Sequence, residues 1–547
     1  LKQRTYELMR ELQESFKIPF YERLNFRLPQ ETTYEEFIED HKAFFSKGNI
    51  LQEPMFYSGT GVYDFQYLEF LERKYKYDKE WLLKKRNFDI DQIKKTVSII
   101  NDIREQKLKK IHFYEFEEVK KHQIIGKIKK QFPKGDWDKR IKDFFLTFEL
   151  YKYIELFLGY IPDSKSLNSY EIGNEEWHSL YRGLLDIFII RKSDFGSSYD
   201  IESLLTNFSI ASEENLNSEF QAIGNYNIIN SHPIISIDTD RYFIPIHFLL
   251  IEAIYESPFH WMKDDLDYND ISGKNRGKVG EEITFELLYK VFGEHGTFKS
   301  VKIISKKGHT DTDIDVLCIL GSKALCVQVK SKKLTELSRV GNDAKIKKDF
   351  QQAVQSAYQQ GLISRQKIID KTAKFIDENK NEIRLSEEID EVYIMVITTE
   401  NYPSLTPQTY LLLEKQDSDP YPLALTIFDL ELITHYLHDK YDFLYYVRQR
   451  IVLMDYFKAD EEITFLGYHL DRKLSKTPNS GIIVIDANFG PLISRNYIPL
   501  KMGLDISEEG DKIKNCEKNE NFDKLCTLLK TSTLPKITDI IFHLLDL

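Results

Sequence analysis

Apolar residues recur at spacings of three and four through much of the first 160 residues, within stretches rich in charge. The clearest examples are residues 93–103 and 141–156, where this spacing places the apolar side chains on one face of a helix. The pattern therefore predicts a large, mainly helical N-terminal region at residues 1–160.

Residues 161–271 show no sustained periodicity, and Ser, Asn and Gly are scattered through them. Two short apolar runs, 234–237 and 242–246, flank a polar turn and predict a β-hairpin. We expect a mixed region here, built around that hairpin and connected by long loops.

A helix is expected at residues 247–255, and its predicted end lies before Pro258 because proline removes a backbone donor and clashes with the preceding turn. The segment 272–277, Ser-Gly-Lys-Asn-Arg-Gly, is rich in residues that interrupt regular structure. It is the clearest candidate for a linker, and it predicts a domain boundary at residue 272.

After this segment the pattern changes to helices alternating with short apolar strands. The order predicted for residues 272–440 is helix, three strands, helix, strand, which is typical of an α/β core with a mixed sheet. The predicted elements are a helix at 277–292, strands at 297–304, 314–320 and 324–329, a helix at 344–360, and strands at 392–397 and 423–428.

The last part of the chain, residues 441–547, predicts a helix at 441–457, short strands such as 481–485, and a terminal helix. The expected fold class is thus multidomain α/β. A helical region (1–160), a mixed region (161–271), an α/β domain (272–440) and a smaller α+β region (441–547) follow one another.

Composition and charge narrow the classes of protein that fit this pattern. The chain has 547 residues, a formal net charge of -12 and a hydrophobic fraction of 42%, a globular composition. An acidic total argues against a protein that coats DNA along its length, so any nucleic-acid contact should lie in a local basic groove.

Four cysteines without a CxxC pair exclude a disulfide scaffold and argue against a zinc site. With no signal peptide or apolar run of membrane-spanning length, a cytoplasmic protein without a membrane partner is expected.

Candidate chemistry lies on the two central strands of the α/β domain. Asp315 opens one strand, and Gln328-Val-Lys330 closes the next, which returns alongside it after a tight turn. Since side chains alternate across a strand, Gln328 and Lys330 point to the same face. A carboxylate and an amide oxygen are hard ligands suited to Mg²⁺, and the lysine is placed to hold a water molecule or a phosphate. The alternative is that these are ordinary polar residues at a hairpin end.

The preceding helix supplies a fourth candidate, Glu281. Its apolar face is broad, and Glu281 falls near the edge of that face while Glu282 falls on the polar side. Glu281 is therefore expected to point toward the sheet as a further metal ligand. The alternative is a glutamate favoured by the positive end of the helix dipole.

Two basic stretches are candidates for nucleic-acid contact. Residues 330–348 hold seven Lys or Arg and two acidic residues, and Lys332, Lys333 and Arg339 follow the candidate lysine. Residues 104–134 hold ten Lys or Arg and four Glu. Phosphate binding and a plain solvated surface are both open for these stretches, and the solvated surface is favoured for 104–134.

Four short segments carry a resemblance to a known family. They are Gly277-Lys-Val-Gly-Glu281 opening a helix, Asp313-Ile-Asp-Val316 opening a strand, Gln328-Val-Lys330 closing a strand, and Asp349-Phe-Gln-Gln-Ala353 in the next helix. Together they resemble the Mrr-like, restriction-endonuclease branch of the PD-(D/E)xK superfamily, in which Gln commonly replaces the middle acid. The resemblance covers residues 272–440, less than a third of the chain. The proline of the family's name is absent, because Ile314 precedes Asp315.

The resemblance implies a restriction-endonuclease-like αβββαβ core and a deoxyribonuclease dependent on Mg²⁺ or Mn²⁺. It implies that Asp315 is the metal-binding acid, Gln328 the substituted acid position, Lys330 the catalytic lysine and Glu281 the helix glutamate. Double-stranded DNA is the expected substrate, and defence against foreign DNA is an expectation by analogy alone. A homo-oligomer or a partner protein held by the N-terminal region is expected as well. The alternatives are a non-cleaving nucleic-acid-binding or scaffold subunit with a nuclease-like fold, and an RNase on the same fold.

Overall fold

The structure is a computed structural model. It describes residues 62–111, 125–126, 129–130, 185–196, 201–211, 216–221, 226–306, 309–335, 338, 343–385, 389–402, 405–476, 482–511, 513, 527–530 and 536–546.

These residues form two compact units that are interleaved along the chain. The first unit takes the described residues within 1–77, 219–226 and 262–547, and the second takes those within 78–218 and 227–261. The second unit is therefore inserted into the sequence of the first. The division into four regions made from the sequence stays a prediction.

The helices are numbered in chain order. They are α1 (Asp64–Lys74), α2 (Lys79–Arg86), α3 (Ile90–Ile111), α4 (Ile201–Phe208), α5 (His247–Asp264), α6 (Asn269–Phe292), α7 (Asp343–Phe350), α8 (Ser356–Asp370), α9 (Ile427–Tyr436), α10 (Lys440–Val452), α11 (Glu462–Arg472), α12 (Phe489–Met502), α13 (Glu508–Asp511) and α14 (Ile537–Asp546). A single π-helical turn, Gln351–Gln355, joins α7 to α8 without a break in the helical path.

The strands are numbered in the same way. They are β1 (Ile189–Arg191), β2 (Ser209–Ala211), β3 (Ile234–Ser236), β4 (Arg241–Phe243), β5 (Thr297–Ile304), β6 (Thr312–Leu320), β7 (Lys323–Lys330), β8 (Lys374–Ile376), β9 (Glu382–Ile383), β10 (Glu391–Thr398), β11 (Leu423–Thr426), β12 (Phe457–Lys458) and β13 (Ile483–Val484).

The second unit contains a small sheet of strand order β1-β4-β3-β2. Its strands β3 and β4 pair antiparallel, which confirms the predicted hairpin. Helix α3 confirms the helix predicted at 93–103, and the one predicted at 141–156 lies outside the described residues. An edge-to-face cluster of Phe88, Phe208 and Trp261 packs inside this unit.

Helix α5 corrects the expectation that a helix ends before Pro258. The helix runs on to Asp264 with the proline inside it. Ile254 on one side of the proline and Met262 on the other are fully buried. Burial of a large aliphatic side chain contributes about 1.5–3 kcal/mol, so two of them offset the roughly 3 kcal/mol that a proline inside a helix costs.

Helix α6 corrects the expectation of a linker at 272–277. Residues 269–292 form one uninterrupted helix, in which Gly273 and Gly277 occupy ordinary helical positions. Each glycine costs about 1 kcal/mol relative to alanine. That cost is offset because the apolar face predicted for this helix, from Val279 to Val291, is buried.

The first unit contains a mixed seven-stranded sheet of order β11-β10-β7-β6-β5-β8-β9. Strands β5, β6 and β7 are antiparallel neighbours, whereas β10 runs parallel to both β7 and β11. The structure thus confirms an α/β fold with a mixed sheet and the predicted order of helix, three strands, helix and strand. It adds β8 and β9 between α8 and β10, and it ends the last predicted strand at Thr426, where α9 begins.

Helices α6 and α8 cover opposite faces of this sheet. Gly280 of α6 lies over Val329, and Gly361 of α8 lies over Ile394. Ile394 pairs with Cys326, three residues from Val329 on the same strand, and side chains alternate between faces. Strand β7 is therefore buried from both sides, and among its eight residues only Lys330 is partly exposed. No helix in the described ranges is long and apolar enough to cross a membrane.

Candidate functional site

The sheet opens on both sides of Asp315. The ladder between β5 and β6 pairs Lys299 with Val316 and Val301 with Ile314, but it skips the position between them, where Asp315 lies. The ladder between β6 and β7 ends one residue after Asp315, at Val316 and Val327. Asp315 therefore sits in a fork between three strands, where its backbone is outside the regular ladders.

Ser300 creates one side of this fork. It has a φ of 50°, a left-handed conformation that is rare for residues other than glycine. It stands across from Asp315 in the register of β5 and β6. A non-glycine residue in this region of φ costs on the order of 1 kcal/mol, and such residues cluster at functional sites.

Asp315 is held from the other side of the fork. Its Oδ2 accepts a hydrogen bond of 2.6 Å from the backbone N–H of Val329. Burial raises the pKa of Asp315 to about 6, although this hydrogen bond and the Lys330 ammonium oppose the shift. The carboxylate is thus fixed in place and partly buried, and burial outweighs the positive charge of Lys330.

Glu281 reaches the same neighbourhood from α6. Burial, together with the charge of Asp315, raises the pKa of Glu281 to about 7, while Lys299 and Lys330 act in the opposite direction. The two carboxylates therefore repel each other across the end of the sheet. Two partly buried acids with raised pKa values in one neighbourhood are typical of a functional site.

Gln328 lies beneath the fork and is only 1% exposed. Its Nε2 donates a hydrogen bond of 2.7 Å to the backbone carbonyl of Asp313. This bond orients the side-chain amide, and within the described ranges no donor reaches its Oε1. The oxygen of the amide is the atom left to accept a hydrogen bond or bind a cation.

Lys330 is the last residue of β7 and the point where the buried strand meets solvent. Its Nζ donates a hydrogen bond of 2.7 Å to Oε1 of Gln360, on α8. Its charge lowers the pKa of both Asp315 and Glu281. The structure thus brings together all four residues that the sequence singled out.

The three residues expected to contact DNA, Lys332, Lys333 and Arg339, differ in their surroundings. Lys332 forms an ion pair of 3.1 Å with Oδ1 of Asp349, which is itself 2% exposed. Lys333 is partly exposed, and Arg339 lies outside the described residues. Lys332 is therefore committed to a buried carboxylate as well as being near the site.

Asp349 was not singled out for a role by the sequence, yet it organises the loop after β7. Its Oδ2 accepts hydrogen bonds from the backbone N–H of Thr335, at 2.7 Å, and from Oγ of Ser338, at 2.6 Å. Its other oxygen holds Lys332. One buried carboxylate thus shapes the segment that carries the lysines expected to contact DNA.

Gln360 and Lys299 also escaped the sequence argument. Gln360 lies on a helix thirty residues after the lysine that it holds, and no spacing rule links the two. Lys299 stands across from Val316, next to Asp315, so it becomes visible once the register of β5 and β6 is known. Long-range partners of this kind follow from tertiary structure and have no local signal.

The donor set fits a hard divalent cation. No group of three or more His, Cys, Asp or Glu in the described part of the chain is arranged to hold a metal. Mg²⁺, however, is usually bound by one or two carboxylates with water and substrate oxygens completing its shell. Glu281 and Asp315 supply those carboxylates, their mutual repulsion favours a cation between them, and Oε1 of Gln328 supplies a neutral oxygen.

Burial of Glu281, together with the negative charge of Asp315, predicts a pH dependence of stability in metal-free protein. Because the folded-state pKa of Glu281 is about 7 and its ordinary value is 4.5, its contribution to stability is lost as pH rises through this window. Glu281→Gln should therefore raise the stability of the protein at pH 8, in a chelator, by about 1 kcal/mol after allowance for partial exposure. Urea unfolding from pH 5 to pH 8 measures this.

Glu282→Gln is the matched control. Although burial opposes the shift, hydrogen bonds from Lys76 and Tyr77 lower the pKa of Glu282, so its removal should destabilise the protein at pH 8. If the two variants showed the same pH profile, the raised pKa of Glu281 in the folded protein would be wrong.

Comparison of the whole chain with family models, with curated proteins and with solved structures finds no match. The chemistry of Glu281, Asp315, Gln328 and Lys330 is therefore the basis on which a function is assigned.

Proposed function

We propose that the protein is a metal-dependent endonuclease that hydrolyses phosphodiester bonds of DNA, with its site at Glu281, Asp315, Gln328 and Lys330. The observation that carries this proposal is the meeting of two mutually repelling carboxylates, a buried amide and a lysine at an open end of a mixed sheet. Such a set is suited to binding a cation beside a phosphate.

The fold supports the same assignment. The element order from α6 to β10, helix, three antiparallel strands, helix and parallel strand, is the order of the restriction-endonuclease-like core of the PD-(D/E)xK superfamily. The four residues that the resemblance singles out lie on α6, β6 and β7 of this order. We therefore assign residues 272–440 to this class of core, with β8 and β9 as an addition.

Glu281, Asp315 and the amide oxygen of Gln328 would hold Mg²⁺ or Mn²⁺. When bound, such a cation neutralises charge on the scissile phosphate and lowers the pKa of water. The hydrogen bond from Val329 keeps Asp315 in position, and the bond from Gln328 to the Asp313 carbonyl directs the amide oxygen away from that carbonyl.

Lys330 contributes positive charge where the phosphate has to lie. Hydrolysis adds water across a P–O bond and gives a phosphate monoester and a free hydroxyl, and negative charge develops on the phosphoryl oxygens on the way. The Lys330 ammonium, oriented by Gln360, donates hydrogen bonds to those oxygens or to the attacking water. Because the ammonium is oriented before substrate binds, little reorganisation is needed during the reaction.

Cleavage of supercoiled plasmid with Mg²⁺ or Mn²⁺, with and without chelator, tests the proposal. Wild type should cut, and Lys330→Gln should cut about 100-fold more slowly. The matched control is Lys290→Gln, an exposed lysine on α6 about two and a half turns beyond Glu281, which should cut like wild type.

The outcomes separate the alternatives. If Lys330→Gln cut as fast as wild type, the assignment of cleavage to this site would be wrong. Cutting of single-stranded RNA with intact plasmid would identify a ribonuclease, and binding without any cutting would identify a nucleic-acid-binding protein on a nuclease-like fold.

A further inference from the structure

A second basic surface lies beside the candidate site, where the end of α1 meets the first turns of α6. The segment Arg73-Lys-Tyr-Lys-Tyr77 alternates cations with tyrosines. Lys74 and Tyr75 are buried, so the segment presents Arg73, Lys76 and Tyr77 outward. Basic residues interleaved with exposed aromatics are a common feature of nucleic-acid contact surfaces.

Tyr77 is the centre of this surface and is 37% exposed. The Nζ of Lys278 lies 4.2 Å from its ring centroid, and the Nζ of Lys76 lies 4.8 Å from it. We call Lys76, Tyr77 and Lys278 the lysine–tyrosine clamp. The ring holds two ammonium groups near one another, which by themselves would repel.

Glu282 fixes the clamp to α6. Its Oε1 accepts a hydrogen bond of 2.7 Å from the Tyr77 hydroxyl, and its other oxygen forms an ion pair with Lys76. The Tyr77 ring and the Lys76 ammonium are thus already ordered. This reduces the loss of side-chain entropy when a phosphate binds.

The clamp is close to the candidate site because Lys278 and Glu281 lie on the same helix. Lys278 precedes Glu281 by three residues and Glu282 by four, so it lies about one turn, or about 5.4 Å, from both along α6. Lys299 bridges the two places, because its charge lowers the pKa of Glu281 and of Glu282 alike. Successive phosphates of one strand advance about 3.4 Å along a duplex axis, so this distance is one or two phosphate steps.

Lys278 is also available for a ligand. It is exposed, and among the described residues it contacts the Tyr77 ring and no carboxylate. Lys332, on the other side of the site, is by contrast paired with the buried Asp349. Positive charge free to meet a phosphate therefore lies on the α6 side.

We infer that the lysine–tyrosine clamp binds a backbone phosphate of the nucleic acid next to the phosphate that is cleaved. This inference rests on the proposed function, because it takes the end of the sheet as the place of cleavage. The clamp recognises phosphate and no base, so it sets where the strand crosses α6 without selecting a sequence.

Fluorescence anisotropy with a labelled 30-base-pair duplex, in chelator and over a series of salt concentrations, tests the inference on the full chain. Lys278→Gln should weaken binding about five- to tenfold at low salt, and it should reduce the slope of log affinity against log salt by about 0.9, the value for one phosphate contact. Lys290→Gln, on the same helix, should match wild type in both affinity and slope. Tyr77→Phe keeps the ring and should lose less than Tyr77→Ala. Circular dichroism on each variant guards against misfolding.

The clamp and the nuclease fail in different ways. Wild-type protein that cuts plasmid but binds duplex with the same affinity and slope after Lys278→Gln would overturn the clamp and leave the nuclease standing. Protein whose binding depends on Lys278 but that never cuts would support the clamp and overturn the nuclease. Wild-type protein without affinity for nucleic acid would overturn both.

Discussion

Asp315→Asn is expected to reduce metal-dependent cleavage about 1000-fold or more while leaving the fold intact. The substitution removes a charge that is central to the proposed site, and losses of this size are usual when a residue that acts together with its neighbours is removed. The asparagine oxygen still accepts the hydrogen bond from the Val329 N–H. Repulsion of Glu281 disappears, so stability at pH 8 in chelator should be equal to that of wild type or higher.

The measurement pairs initial rates of plasmid cleavage with urea unfolding of the same preparations. Loss of activity with unchanged or raised stability identifies a functional carboxylate. Loss of both would identify a structural one, and unchanged cleavage would exclude Asp315 from the reaction.

Gly280→Ala is expected to cost about 2 kcal/mol of stability and to slow cleavage at least tenfold. A Cβ at this position would lie 2.4 Å from Cγ2 of Thr399 and 3.1 Å from Cγ1 of Val329, so α6 has to move away from the sheet. Overpacking of this kind costs about 1–3 kcal/mol, more than the gain in helix propensity of about 1 kcal/mol. Glu281 is the next residue, so it moves with the helix and loses its position against Asp315.

Gly277→Ala is the matched control. Gly277 lies on the same helix, and a Cβ added there would have no neighbouring atom within 4 Å. It should gain about 0.5–1 kcal/mol and cleave like wild type. Urea midpoints and cleavage rates of the two variants decide the matter: similar behaviour at both positions would mean that close approach of α6 to the sheet is unimportant for the site.

The α/β region was largely predictable because its signals are local. Short apolar runs bounded by turn residues predicted β5, β6, β7 and β10, and the polar residues that interrupt the ends of these runs pointed to the candidate site. Gln328 and Lys330 share a face by strand alternation alone. The apolar pattern of α6 likewise placed Glu281 near the apolar face and Glu282 on the polar side. In the structure the two glutamates have different neighbours.

Where the sequence misled, tertiary packing outweighed local preference. Gly273 and Gly277 weaken a helix, and Pro258 interrupts one, yet buried neighbours hold both helices together. Gln360 and the lysine–tyrosine clamp escaped for another reason. Their contacts join segments thirty to about two hundred residues apart, and no pattern within a single segment encodes such a meeting.

The interleaving of the two compact units has a consequence for synthesis of the chain. Helix α1 packs beside α6 within the first unit, but 194 residues (75–268), among them the second unit, separate Lys74 from Asn269. At about 5–20 residues per second, α1 leaves the ribosome roughly 10–40 s before its partner helix exists. During that delay the apolar side of α1 lacks the helix against which it packs in the folded protein, so this contact can form only after the second unit has been synthesised.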